Sequence, residues 1–228
     1  MARLGRIVFP GYPHHITQRG IRRFETFRHR EDRLFFVKLL QKYVEQFSLE
    51  IWSYVLMTNH FHLIAVPKDK DSMAAAMKNT LSDYARAFNL KYGYQGHLWQ
   101  ARFYSSVMGP DHLFNAVRYV ERNPVRAGLV TRAEEYEWSS AAYHCGLRTV
   151  DEIVAPGSPI VGAVQNWSEW LQVVDEPADQ MLRRQTRIGW PTTASKEFLR
   201  MLESKLGRPM QPYKPTHVSK GNKLQEKE

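Results

Sequence analysis

The chain has 228 residues, 43% hydrophobic and 24% charged, enough to bury one good core and too evenly mixed for a disordered or membrane-embedded protein. Its net charge is +9, unevenly spread: residues 1–33 carry eight Arg against three acidic residues, residues 181–228 carry eleven Lys or Arg against four, and the middle is left at −3. Cationic ends suit a polyanion gripped from two sides, nucleic acid first, or are solvated ends that aid solubility, while the single Cys145 excludes an internal disulfide or a multi-cysteine zinc site and is assigned to packing.

In chain order, HHITQ (His14–Gln18) reads as a short strand followed by the basic turn QRGIRRF. From about Arg30 to Phe47, Leu34, Phe36, Val37, Leu40, Tyr43, Val44 and Phe47 recur at helical spacing, with Glu31 and Asp32 in the first turn. Leu49–Met57 and Phe61–Val66 are rich in β-branched and aromatic residues, and Thr58-Asn59 between them predicts a hairpin. Ser72 is expected to cap a second helix reaching about Lys91, with Met73, Met77, Leu81, Tyr84 and Phe88 as its buried stripe. Residues 102–108 read as a strand, and Pro110 opens a third helix expected to stop at Pro124.

The order strand, helix, strand, strand, helix, strand, helix predicts an α+β fold, a ferredoxin-like split βαβ antiparallel sheet with packed helices. VDEIVAPGSP reads as a linker, 166–206 as two or three short helices, and 209–228 as a mobile basic tail. The expected organisation is therefore a main domain over 1–150, a helical extension over 151–208 and the tail. No apolar run approaches a membrane span, and MARLGRIVFPGY lacks the apolar core of a signal peptide, so a cytoplasmic location without membrane contact is expected.

The hairpin raises a chemical question at MTNHFHLIAVP, where His60 and His62 stand one residue apart. On a helix the two rings would diverge; on a strand they leave the same face, about 7 Å apart along the backbone, and can share one cation. The alternative is one surface histidine and one hydrogen-bonded core histidine. On DHLFNAVRYVERNP, Leu113, Ala116, Val117 and Val120 form a buried stripe. His112, Asn115, Tyr119 and Asn123 share a neighbouring polar face, with Tyr119 and Asn123 one turn apart. A cation held by two imidazoles neutralises a phosphodiester oxygen and favours a phenolate nucleophile; an attacking tyrosine keeps the bond energy for rejoining strands without ATP. No GxxxxGK[ST] or HExxH occurs, so the motifs of P-loop ATPases and two-histidine zinc proteases are absent.

NHFHLI resembles the His-hydrophobic-His motif of the HUH single-strand endonucleases, and Tyr119 in RYVERNPVRAGLV the lone nucleophile of their single-tyrosine branch. HHITQRG, NHFHLI, GHLWQARFYSS, YVERNPVRAGLV and YEWSSAAYH, in this order over about residues 5–148, resemble the REP-associated tyrosine transposases of bacteria. The resemblance implies a DNA transposase and endonuclease that binds single-stranded palindromic hairpin DNA and cuts and rejoins strands through a covalent 5′-phosphotyrosine. It implies Tyr119 as nucleophile and His60, His62 and Asn123 as ligands of Mg²⁺ or Mn²⁺. Imidazoles by themselves suit zinc or other transition metals better. A nucleotide cofactor is not implied, and the active form is a monomer or homodimer.

Candidate DNA contacts are Arg19, Arg22, Arg23, Trp99 and Arg102, with Arg118, Arg122 and Arg126 flanking the tyrosine. Arginine grips phosphates or reads guanine, and an aromatic ring stacks on an unpaired base. The bland readings are core packing for Trp99 and solvated helix charges for the last three arginines. His14 and His15 are read as structural, on opposite faces of their strand, and Trp138, Trp167 and Trp170 as packing. Two rivals remain: a water-using metal-dependent phosphodiesterase with Tyr119 a spectator, and a cleavage-inactive hairpin binder on the same sheet.

Overall fold

The structure, a computed structural model, describes residues 6–207 and 209–210. Four antiparallel strands, β1 (His14–Arg19), β2 (Leu49–Leu56), β3 (His60–Pro67) and β4 (Tyr104–Val107), lie in the order β2-β3-β1-β4. With α1 (Arg30–Gln46) and α2 (Ser72–Tyr92) in the crossovers, this is the expected ferredoxin-like order. β3 and β1 are central and buried on both faces, which explains the nearly continuous apolar run of β3.

One face of the sheet, with Ile16, Phe61, Leu63 and Ala65, packs against α1 and α2 around Phe36, Leu40, Met73, Met77 and Tyr84. Leu34, expected in the α1 stripe, is instead 47% exposed, because the helix rests on Phe36, Val37, Leu40 and Tyr43. The Asp32 carboxylate accepts the backbone N–H groups of Arg28 and His29 and starts the helix. α2 is preceded by Asp71 rather than capped by Ser72, whose hydroxyl accepts the Asp69 N–H. It ends at Gly93, where φ of 69° suits glycine.

The other face, with Val55, Ile64 and Met57, is covered by α3 (Leu113–Glu121), α4 (Asn123–Arg126), α5 (Ala141–His144), α6 (Trp167–Trp170) and α7 (Glu176–Ile188). α3 ends before Pro124 as expected, but helical geometry resumes at once. Pro124 occupies the first turn of α4, where its missing N–H costs nothing, and Arg126 N–H donates to Arg122 O at 3.0 Å.

The segment expected to be a linker is packed. Val154 bridges Ile51 on the outer edge of β2, both Ile153 and Val154 are buried, and the Asp151 carboxylate accepts both of their N–H groups. Ser139 bridges Val55 on the same edge and Thr192 continues beyond β4, so both edges are partly covered.

Residues up to Ser195 form one compact unit, and the remainder, with α8 (Lys196–Leu206), a second. In the second unit Met210 N–H donates to the Glu203 carboxylate. The expected basic tail lies, from residue 211 onward, outside the described residues. Among the described residues no helix is long and apolar enough to cross a membrane.

Candidate functional site

Antiparallel register sets the site. His60 lies opposite Arg19 and His62 opposite Thr17, with His15 one pair further along, so His60, His62, His15 and Arg19 leave the same face. The two ligand candidates stand with ring centroids 5.2 Å apart and planes at 86°. α3 crosses this face and brings in the Tyr119 ring, edge-on to His62 at 5.5 Å and to His15 at 5.9 Å. Asn123 follows one turn later and lines the same cleft as His60.

Each imidazole is held from behind. His60 Nδ1 lies 2.7 Å from Asn59 Oδ1, an acceptor, so the proton sits on Nδ1 and Nε2 keeps its lone pair. His62 Nδ1 lies 2.8 Å from His15 Nε2, and His15 Nδ1 lies 2.7 Å from the Thr186 hydroxyl on α7. Running the donors from His62 through His15 to Thr186 leaves His62 Nε2 unprotonated as well. Burial, reinforced by Arg19, lowers the His60 pKa to about 4, and burial lowers His15 to about 3. His62 is held well below its ordinary value by burial first and then by His15, His60, Arg126 and Arg19. All three are neutral at pH 7.

Two neutral imidazoles with free Nε2 atoms and a buried amide are a donor set that fits one divalent cation. The Asn123 Nδ2 is buried with no hydrogen-bond partner. Among the described residues no group of three His, Cys, Asp or Glu could hold a metal, and the Asn123 amide is one further side chain that could join the two imidazoles.

These groups open into a cleft of ≈ 790 Å³. Its walls carry Arg19, Arg22 and Arg23 on one side, Arg126 beside the tyrosine, and Arg183 and Arg187 from α7; among the described residues no carboxylate lines it. Arg22 and Arg23 both have left-handed backbone (φ 51° and 64°), an arrangement that costs about 1–2 kcal/mol per residue. Gly20 makes that turn possible: a Cβ there would lie 2.3 Å from Phe24 O. Burial, then Arg23 and Arg183, depress the Arg19 pKa, against a raising effect of Tyr119.

The other arginines flanking the tyrosine diverge from one another. The Arg126 guanidinium lies 4.5 Å above the Tyr119 ring and 3.5 Å from Asp179. Arg118 and Arg122 are buried away from the cleft: Arg118 donates to Asn115 Oδ1 and faces Asp175 at 3.6 Å, and Arg122 donates to Val173 O. Trp99 packs between Phe61 and Tyr84 and donates its indole N–H to Leu81 O at 3.0 Å. Arg102 lines a separate groove along α2, and His112 lies outside the cleft. His14, on the opposite face, donates from Nδ1 to Tyr12 O and accepts Phe9 N–H at Nε2, a structural role.

Several contributors were not singled out from sequence. His15 was read as structural and Asn59 as a turn residue, yet both orient the histidine pair. Thr186, Arg183 and Arg187 carried no local signal. Glu121, not singled out from the sequence, is fully buried: Oε1 accepts from Ser53 (3.1 Å), Ser140 (2.6 Å) and His144 (2.5 Å), and Oε2 accepts the Trp167 indole N–H (2.8 Å). The glutamate thus ties α3, the helix that carries the tyrosine, to β2, α5 and α6.

Among curated proteins none matches the chain significantly. Among solved structures the chain is similar to a REP-associated tyrosine transposase bound to a REP hairpin, with 19% identity, a TM-score of 0.50, and coverage of 69% of this chain and 93% of that one. This likeness supports the fold. Residues 10–123, half of the chain, match the family model described as transposase IS200 like, and that stretch runs from the approach to β1 through the paired histidines to Tyr119 and Asn123. The chain therefore belongs to the IS200-like transposase family.

Proposed function

We propose that this protein is a single-tyrosine transposase that binds single-stranded DNA folded as a palindromic hairpin and cleaves and rejoins single strands at Tyr119. The observation that carries this reading is the approach of the Tyr119 ring to His62, 5.5 Å between centroids, inside a cleft walled by arginines and free of carboxylates among the described residues. A cleft of that charge favours a phosphodiester backbone, and the hairpin named for the structural relative fits a strand presented single-stranded beside a stem.

His60, His62 and Asn123 would hold Mg²⁺ or Mn²⁺, which when bound supplies positive charge against a non-bridging phosphate oxygen and favours the phenolate. The phenol releases its proton to solvent, and Arg126 over the ring stabilises the resulting anion. The phenolate oxygen bonds to phosphorus, the P–O3′ bond breaks, and the departing 3′ oxygen takes a proton from solvent. The product is a 5′-phosphotyrosine and a free 3′-hydroxyl. Attack by another 3′-hydroxyl reverses the sequence, joins the strands and frees Tyr119, with no nucleotide cofactor. One chain supplies all of these groups, so a monomer suffices for the chemistry.

The test is incubation with end-labelled hairpin DNA bearing single-stranded flanks, in Mn²⁺ or Mg²⁺, followed by a denaturing gel. Shortened DNA at one position beside the stem supports the reading. Binding without cleavage in either metal contradicts it.

A further inference from the structure

The family match ends at Asn123, yet the cleft does not: its far wall is α7, beginning 53 residues later. This helix is seated on β4, β1 and α3, and Thr186 is buried against the site with its hydroxyl on His15. Arg183 and Arg187 lie three residues before and one after Thr186, and both line the cleft that holds Tyr119. They are four apart, one turn or about 6 Å along the helix. Both are exposed, and among the described residues neither pairs with a carboxylate, whereas Arg118 and Arg126 face Asp175 and Asp179. Arg183 is also near enough to Arg19, on the opposite wall, for the two cations to repel. Two unpaired guanidinium groups facing three more across a cleft leave a site shaped for an extended polyanion.

We propose that α7 is a strand clamp: Arg183 and Arg187 grip successive phosphates of the single strand that leaves the hairpin and is led to Tyr119, while Arg19, Arg22 and Arg23 hold its other side. This rests on the hairpin-DNA reading above and adds to the site a second wall from further along the chain. Because Thr186 anchors the same helix to His15, the wall that grips the strand and the support of His62 belong to one element.

The test is fluorescence anisotropy of the full chain with labelled DNA across a salt series, using a hairpin with a single-stranded flank and the same hairpin without it. Each phosphate contact to a single strand contributes about 0.7 to the slope of log affinity against log salt. Replacing both arginines (Arg183→Ala with Arg187→Ala) should lower the slope by about 1.4 on the flanked hairpin and weaken binding about tenfold near 0.15 M salt. The double Arg→Lys variant should keep the slope. Arg184→Ala removes an exposed charge of the same helix that does not line the cleft and should change little. On the bare hairpin the double alanine variant should match wild type.

An unchanged slope on the flanked hairpin, an equal loss with Arg184→Ala, or an undiminished loss on the bare hairpin would each overturn the clamp. If the wild-type chain shows no salt-dependent binding to either DNA, it is the hairpin-DNA reading itself that fails.

Discussion

His15 Nε2 lies 2.8 Å from His62 Nδ1, and its other nitrogen lies 2.7 Å from the Thr186 hydroxyl. When His62 donates to His15 and His15 to the Thr186 hydroxyl, the His62 nitrogen that faces the cleft is free to bind a cation. Outer partners of this kind typically carry a 10–100-fold effect on metal affinity. Thr186→Val keeps the shape and removes the hydroxyl, so Mn²⁺ affinity of the DNA-free protein, measured by calorimetric titration, should fall by about 10–100-fold. Thr186→Ser should restore it. Equal Mn²⁺ affinity in the valine variant and wild type would mean that the hydroxyl does not govern His62.

The fully buried Glu121 collects four side-chain donors from three other parts of the chain. Removing one partner of such a buried network typically costs about 3–5 kcal/mol, because the remaining groups stay dehydrated and unpaired. Glu121→Ala should therefore lose about that much stability in urea unfolding, and Glu121→Gln, which keeps one acceptor oxygen, should lose less. A loss in Glu121→Ala below about 1 kcal/mol, the typical effect of any substitution, would remove its role as the anchor of α3.

His14 lies outside the site but shares its pH window with His15, His60 and His62, whose pKa values burial also lowers. Burial lowers its pKa from 6.5 to about 4, against the raising effect of the Tyr12 carbonyl. Its Nε2 must stay unprotonated to accept Phe9 N–H. Between those two values the unfolded chain binds a proton that the folded chain refuses. The stabilising contribution is thus complete above pH 6.5 and is lost as pH falls toward 4, with a slope of up to about 1.4 kcal/mol per unit for this group. Unfolding free energy in metal-free buffer should decline over that window, and His14→Gln should make the decline shallower by up to about 1.4 kcal/mol per unit, leaving the share of His15, His60 and His62. A decline of the same steepness in the variant would assign it to other groups.

Much of the fold is legible in the sequence because its first 120 residues repeat at the periods of helix and strand. The helical stripe of α2 and the β-branched and aromatic runs on either side of the Thr58-Asn59 turn each point to one structure. That His60 shares a face with His62, and Tyr119 with Asn123, follows from strand and helix periods; the roles proposed for them rest on the family resemblance. What was not legible depends on contacts far apart in the chain: Thr186 reaches His15 across 171 positions. Glu121 hid for the opposite reason. Its helix is covered on more than one side, so a residue off the apolar stripe is buried, and only the donors of YEWSSAAYH and Trp167 make that tolerable. Arg118 and Arg122 show the converse, cations spent on the chain's own acceptors rather than left for a ligand.

The most direct measurement concerns the phenol itself. Hairpin DNA labelled on the 5′-phosphate side of the cut is incubated with the chain and Mn²⁺, denatured, digested with protease and examined by mass spectrometry. The expected result is a nucleotide linked to the peptide that contains Tyr119, lost together with all strand cleavage in Tyr119→Phe while hairpin affinity stays within about twofold. Cleavage that persists in Tyr119→Phe, or a DNA link on a different residue, would contradict the assignment of Tyr119 as the nucleophile.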